Sequence, residues 1–103
     1  MATLLLVMAS VAYAVGGLFM KQSDGATQLA PTVGFLLLFA VGATLQAIGM
    51  RQEAMGSAYV FVLGVEAVAA VLLSAWLLQE PYSPSKLAAM AIVVAGIAWL
   101  RLA

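Results

Sequence analysis

An all-α integral membrane protein with four transmembrane helices is the fold class that the sequence predicts, and three features carry that prediction. Of the 103 residues 66% are hydrophobic and 8% charged, whereas a soluble domain carries roughly a quarter of its residues charged. Mean hydropathy is +1.15. The apolar residues are also gathered into blocks: polar clusters at 21–31 (KQSDGATQLAP), 51–56 (RQEAMG) and 79–86 (QEPYSPSK) cut the chain into four apolar stretches. In hydrocarbon the backbone must satisfy its own hydrogen bonds, so each stretch is expected to be helical. No cluster is long enough to be a soluble domain, and the chain reads as one four-helix domain, 1–103.

The first stretch, 2–20, and the second, 32–50, hold 19 residues each, close to the roughly 20 that cross about 30 Å of hydrocarbon. Asp24-Gly25 makes a turn pair between them, and Pro31 suits the first position of the second helix, where a missing N–H is tolerated. The third stretch, 57–78, has 22 residues and spans with some tilt. Gly56-Ser57 offers a break followed by a cap, and Pro81 and Pro84 stop the third helix before the fourth begins. That fourth stretch, 87–100, has 14 residues. It must thin the bilayer locally or let Lys86 and Arg101 snorkel to the two interfaces. Trp76, Tyr82 and Trp99 stand near helix ends as interface anchors. Ala12-Tyr13-Ala14 has the form of a signal-peptide cleavage site, but no Lys or Arg precedes it and the apolar run continues beyond it. The first stretch is therefore read as a span of the mature chain.

The composition excludes several function classes. With no Cys and no His, the chain offers no disulfide, no zinc site and no Ser-His or Cys-His nucleophile, so neither an enzyme nor a metal or other cofactor is expected. A net charge of zero argues against nucleic acid as a partner. The lipid bilayer is the expected surrounding.

The eight charges are informative by position. Four spans put both termini on one side, so Arg51 and Arg101 face Lys21 and Lys86 across the membrane, two against two. The positive-inside rule reads that difference, which is nil. Two readings follow: the chain inserts both ways and pairs with itself antiparallel, or a paralogous partner or weak cue fixes one orientation. Four short helices hardly enclose a solute path, so any transport requires at least a dimer, the second subunit supplying the inverted repeat.

Seven charges lie in polar clusters or at helix ends. Glu66 does not: it is the tenth residue of the third stretch, where insertion of a carboxylate costs about 3 kcal/mol and marks a functional candidate by default. Tyr59, Val62, Leu63, Ala69, Ala70 and Leu73 fall on its side at helical spacing. Tyr13 and Gln46 are the other polar groups of any size expected deep in helices one and two. A carboxyl, two phenols and an amide can hold a proton or a cationic, partly apolar ligand in turn. The competing reading has Glu66 hydrogen-bonded to Gln46 or Tyr13 as interhelical glue. Gly16-Gly17, Gly42, Gly64 and the group Ala88, Ala91, Ala95 and Gly96 supply close-approach surfaces, with Ala91, Ala95 and Gly96 on the last helix read as a dimer seam.

Gly17 with Met20-Lys21-x-Ser23-x-Gly25, Leu29-x-Pro31-x-Val33-Gly34, Gly56-x-Ala58-Tyr59 with Gly64-Val65, and Ala95-Gly96 together resemble the small multidrug resistance family of the drug/metabolite transporter superfamily, over almost the whole chain. The resemblance implies an antiparallel dimer in a bacterial-type inner membrane, homomeric or paired with a paralogue, that exports small cationic or guanidinium-type compounds in exchange for protons. The departures fall on chemistry. Drug- and guanidinium-exporting members carry a membrane-embedded glutamate seven residues before the Met of Met-Lys, and that position here is Tyr13. Tyr59 matches a family tyrosine of the binding site, but the Trp-Ser that commonly follows is Val62-Leu63, and the second glycine of the Gly-Val-Gly bend at Gly64 is Glu66. The acid has moved from the first helix to the third. The expectation is a proton-coupled exporter of small organic cations, a dimer with Glu66 at the midplane, Tyr59, Tyr13 and Gln46 around it, and Val62, Leu63 and Gly17 lining the pocket. The alternatives are a subunit of a lipid-linked sugar flippase and a non-transporting membrane subunit.

Overall fold

A computed structural model describes residues 2–51 and 53–102. It holds four helices, α1 (Ala2–Gln22), α2 (Leu29–Gly49), α3 (Met55–Leu77) and α4 (Pro84–Leu102), each long and apolar enough to cross a membrane. The largest departure from expectation is α4, with 19 residues where 14 were expected. Pro84 opens this helix, because a first-turn N–H has no acceptor to lose, and Lys86 and Arg101 lie inside it as its charged ends. At 1.5 Å per residue α4 is about 28 Å long, so the bilayer need not thin around it. The same tolerance lets α2 begin at Leu29, with Pro31 third instead of first. Gly56-Ser57 does not break the chain: both lie in the first turn of α3, and Ala54 is the N-cap.

The link between α1 and α2 is wound tightly on Ser23, which is buried. Its hydroxyl donates to the Met20 carbonyl (2.7 Å) and accepts the Ala26 N–H (3.1 Å), while its own carbonyl accepts the N–H groups of Thr27 and Gln28 (2.9 and 3.0 Å). The turn expected at Asp24-Gly25 is a run of three left-handed residues, with φ of 50°, 70° and 67° at Asp24, Gly25 and Ala26.

The helices do not close around a core. α1 packs on both α2 and α3, and α4 packs on α3, giving an open row in the order α2–α1–α3–α4 with Cα extents of 41 × 35 × 17 Å. The buried cluster is correspondingly small: Leu6 of α1 meets Ala58, Phe61 and Val62 of α3. Ser10, fully buried, lies beside it, its hydroxyl 2.8 Å from the Leu6 carbonyl and 3.2 Å from the Val62 carbonyl, which ties α1 to α3. The α1–α2 seam is close because large side chains rest on glycines. A Cβ at Gly42 would stand 2.8 Å from the Tyr13 ring, and one at Gly16 2.6 Å from the Phe39 ring.

The α3–α4 seam is thinner. Ile97 enters the gap at Gly64, where any Cβ would overlap it. α3 runs through Gly64, the glycine expected at a bend, and this glycine also admits Ile97. Among the described residues of α4 none is buried. Its far end is held by Arg101, whose guanidinium donates to Glu53 and to the Thr3 hydroxyl and lies 4.6 Å from the centroid of the Phe61 ring.

Candidate functional site

Tyr13 is the twelfth of 21 residues of α1 and Glu66 the twelfth of 23 of α3, which sets both at mid-depth of their helices. Gln46 stands in the last turn of α2, closer to the helix end than expected. Long helical side chains lean toward their own N-termini, and in antiparallel α1 and α2 that brings Tyr13 and Gln46 together. The Tyr13 hydroxyl donates to Gln46 Oε1 at 2.8 Å. Gly42, one turn before Gln46, leaves room for the Tyr13 ring, and Phe39 meets it edge-on with centroids 5.8 Å apart. Gln46 is only 6% exposed, yet its Nε2 has no hydrogen-bond partner among the described residues.

Glu66 is half-buried. The Tyr13 phenol lies within electrostatic reach of both Tyr59 and Glu66. In the interhelical-glue reading Glu66 should bond to Tyr13 or Gln46; instead those two bond to each other, and Glu66 has no hydrogen bond among the described residues.

Two cavities flank this level of the protein. One, of about 360 Å³, is lined by Tyr13, Ala43, Gln46, Ala47, Met50 and Tyr59 and lies toward the Arg51 end. The other, of about 240 Å³, lies toward the Lys21 end, with Ala14, Gly17, Ala70 and Leu73 in its wall and Lys21 and Glu80 at its rim. There Lys21 Nζ stands 3.7 Å from Glu80 Oε2, and the Ser74 and Tyr82 hydroxyls are 2.5 Å apart. Along α3, Glu66 falls between Tyr59 of the first cavity and Ala70 of the second, and lines neither.

The remaining residues expected at the site are dispersed. Val62, expected to line the pocket, is 1% exposed and packed into the α1–α3 core, because its position faces Leu6. Leu63 points the other way, into the groove beside α4. Gly17 does line a cavity, but the one at the Lys21 end. Ala91, Ala95 and Gly96 are exposed on α4. Trp76 and Trp99 are exposed near helix ends, as interface anchors would be, whereas Tyr82 turns its hydroxyl toward Ser74. Sequence reasoning passed over Ser10 and three residues that share the Gln46 cavity, Ala43 and Ala47 of α2 and its C-cap Met50. Ala43 and Met50 stand three before and four after Gln46, so helical spacing around that amide was the signal that could have found them, whereas Ala47, one after it, carried no such signal.

Comparison with known proteins adds a second line. The family model described as Small Multidrug Resistance protein matches residues 1–93. Relatives named guanidinium exporter align along nearly their whole length. The one from Escherichia coli (strain K12) is 32% identical over 102 residues, covering 99% of this chain and 97% of the relative. That from Yersinia pseudotuberculosis serotype I (strain IP32953) is 31% identical over 103 residues, covering 100% and 99%. That from Salmonella typhimurium is 30% identical over 102 residues, covering 99% and 97%.

Proposed function

Because this chain belongs to the Small Multidrug Resistance family, and is thus a small multi-pass inner-membrane exporter and not an enzyme, we propose that it exchanges protons for small organic cations at Glu66, as an antiparallel dimer. The observation that carries this reading is Glu66 itself. It is the only acidic residue within the four helices, stands at mid-depth, and has no hydrogen-bond partner of its own among the described residues.

A single carboxylate surrounded by apolar groups neutralises one positive charge at a time, so a bound proton and a bound cation exclude one another. That exclusion is what couples the two movements. Tyr13, at the depth of Glu66 on the neighbouring helix, and Tyr59, two turns before Glu66 on α3, offer ring faces and hydroxyls to an organic cation, and the cavities on either side of Glu66 provide space toward each end of the helices. The open row of helices supports a dimer, since within one protomer α4 packs on α3 alone and reaches past it through Arg101. Ala91, Ala95 and Gly96 give α4 a small-residue surface for that contact. Two basic residues stand at each end, and one of each pair is engaged with a loop acid, Lys21 with Glu80 and Arg101 with Glu53. Pairing therefore creates no charge bias, as insertion in both orientations requires.

Guanidinium is the first cargo to test, given the names of the relatives. In proteoliposomes of the purified chain under a pH gradient, guanidinium should drive proton movement read by a pH-sensitive dye inside the vesicles, and Glu66→Gln should abolish it while the protein still elutes as a dimer. Undiminished proton movement with Glu66→Gln would remove this residue from the mechanism.

A further inference from the structure

We propose that the free amide nitrogen of Gln46 recognises a carbonyl-type oxygen on the cargo, so that the ligand matched to this protein is an organic cation that also carries a hydrogen-bond acceptor. This rests on the reading of Glu66 as the partner of the cationic group.

The argument is one of donor and acceptor supply. The Gln46 side chain offers one oxygen and two N–H donors. The oxygen is taken by the Tyr13 hydroxyl at 2.8 Å. Both N–H donors are idle in a side chain 94% withdrawn from solvent. Native proteins seldom leave a buried donor unmet, and its penalty grows in surroundings as apolar as these. Nothing in the cavity wall meets it: Ala43 and Ala47 present methyl groups, Met50 only a thioether, and Tyr59 makes no hydrogen bond to it. The acceptor has to come from outside the protomer.

The same cavity reaches from Gln46 to Tyr13 and Tyr59, and Tyr13 stands at the same mid-depth as Glu66 on the helix packed against α3. An extended ligand with its positive end at Glu66 and an oxygen farther along would meet Gln46 Nε2. Guanidinium, which only donates hydrogen bonds, cannot. Sites built around a hydrogen bond discriminate strongly against analogues that lack the matching group. Gln46 thus separates oxygen-bearing cations from those with a plain hydrocarbon tail.

The test uses two probes that differ by one carbonyl in place of a methylene, (4-oxopentyl)trimethylammonium and n-pentyltrimethylammonium, titrated calorimetrically into the purified dimer. The wild type should bind the ketone about tenfold more tightly, the scale of one buried donor satisfied or left unmet. Gln46→Leu, similar in size and without a donor, should erase the difference between the two probes, with elution as a dimer showing the fold intact. Gln46→Met, unbranched and also without a donor, should likewise lose the ketone preference, and it serves if the leucine variant does not fold. Equal affinities in the wild type, or a ketone preference that survives in both variants, would overturn the proposal and mean that water meets the amide. If both probes bind equally and Glu66→Gln weakens both, the cation site stands and only the Gln46 proposal falls. If neither probe binds, the Gln46 proposal falls, and the guanidinium assay with Glu66→Gln decides the cation site separately.

Discussion

The α1–α2–α3 body and α4 differ in how they are held, although all four helices are apolar enough to span a membrane. Within the body, aromatic rings rest on glycines, Tyr13 on Gly42 and Phe39 on Gly16, and Ser10 joins α1 to α3 through their carbonyls. α4 has one knob, Ile97 at Gly64, and one clasp, Arg101. In water an apolar helix so little covered would be untenable. In a bilayer lipid covers it, and packing is decided by shape and hydrogen bonds. The body's fit is written into the chain, whereas α4 is left with a surface for lipid or for a second protomer.

The sharpest way to break this contrast is to make the same substitution in both regions. Each Gly→Ala change gains about 0.5–1 kcal/mol of helix propensity. At Gly42 the new methyl meets a ring fixed by Gln46 and Phe39, and the overpacking, about 1–3 kcal/mol, outweighs that gain. At Gly64 the obstacle is the Cγ1–Cδ1 branch of Ile97, with open grooves on either side into which it can swing. Gly42→Ala should therefore lower the melting temperature in detergent, followed by circular dichroism, while Gly64→Ala stays within a degree or two of wild type. Equal losses would mean that α4 is held as firmly as the body.

A smaller effect is expected from Arg101→Gln. It removes the bonds to Glu53 and Thr3 and the stacking on Phe61, together about 1 kcal/mol for a partly exposed cluster. Hydrogen exchange should quicken over 95–102 and not in α1; equal quickening in both would show that the clasp serves the whole molecule. The smallest effect belongs to Lys21→Gln at the opposite end. That pair is 3.7 Å long with the lysine 67% exposed, so under about 0.5 kcal/mol is at stake. Any change in melting temperature should vanish at high salt, and one that persists would give Lys21 a role beyond this pair.

The four spans were legible because apolar runs broken by polar clusters leave little choice in a membrane. The boundaries erred mostly at helix starts: Pro31, Pro84, Gly56 and Lys86 were read as helix ends and lie within the helices, whereas Met50 and Leu78 were read inside and lie one residue beyond. First turns tolerate proline and glycine, and long basic side chains reach the interface from inside a helix. Glu66, Tyr13 and Gln46 were legible as polar residues among apolar ones. The row order was not, since helices apolar on every side carry no stripe to show which face meets which neighbour. Val62 shows the same blindness: it shares a face with Glu66 by spacing, and only the approach of Leu6 puts it in the core.

Gly17 carries a consequence for how such a protein can change over generations. It stands in the wall of the Lys21-end cavity, and within the protomer a Cβ there would meet nothing within 4 Å. A single-base change from any glycine codon reaches alanine, whose methyl would narrow that cavity with no clash inside the protomer. Most positions in a close-packed interior couple a change of shape to a loss of stability. Here the methyl meets nothing and adds helix propensity, so the cavity can narrow without loss of the fold.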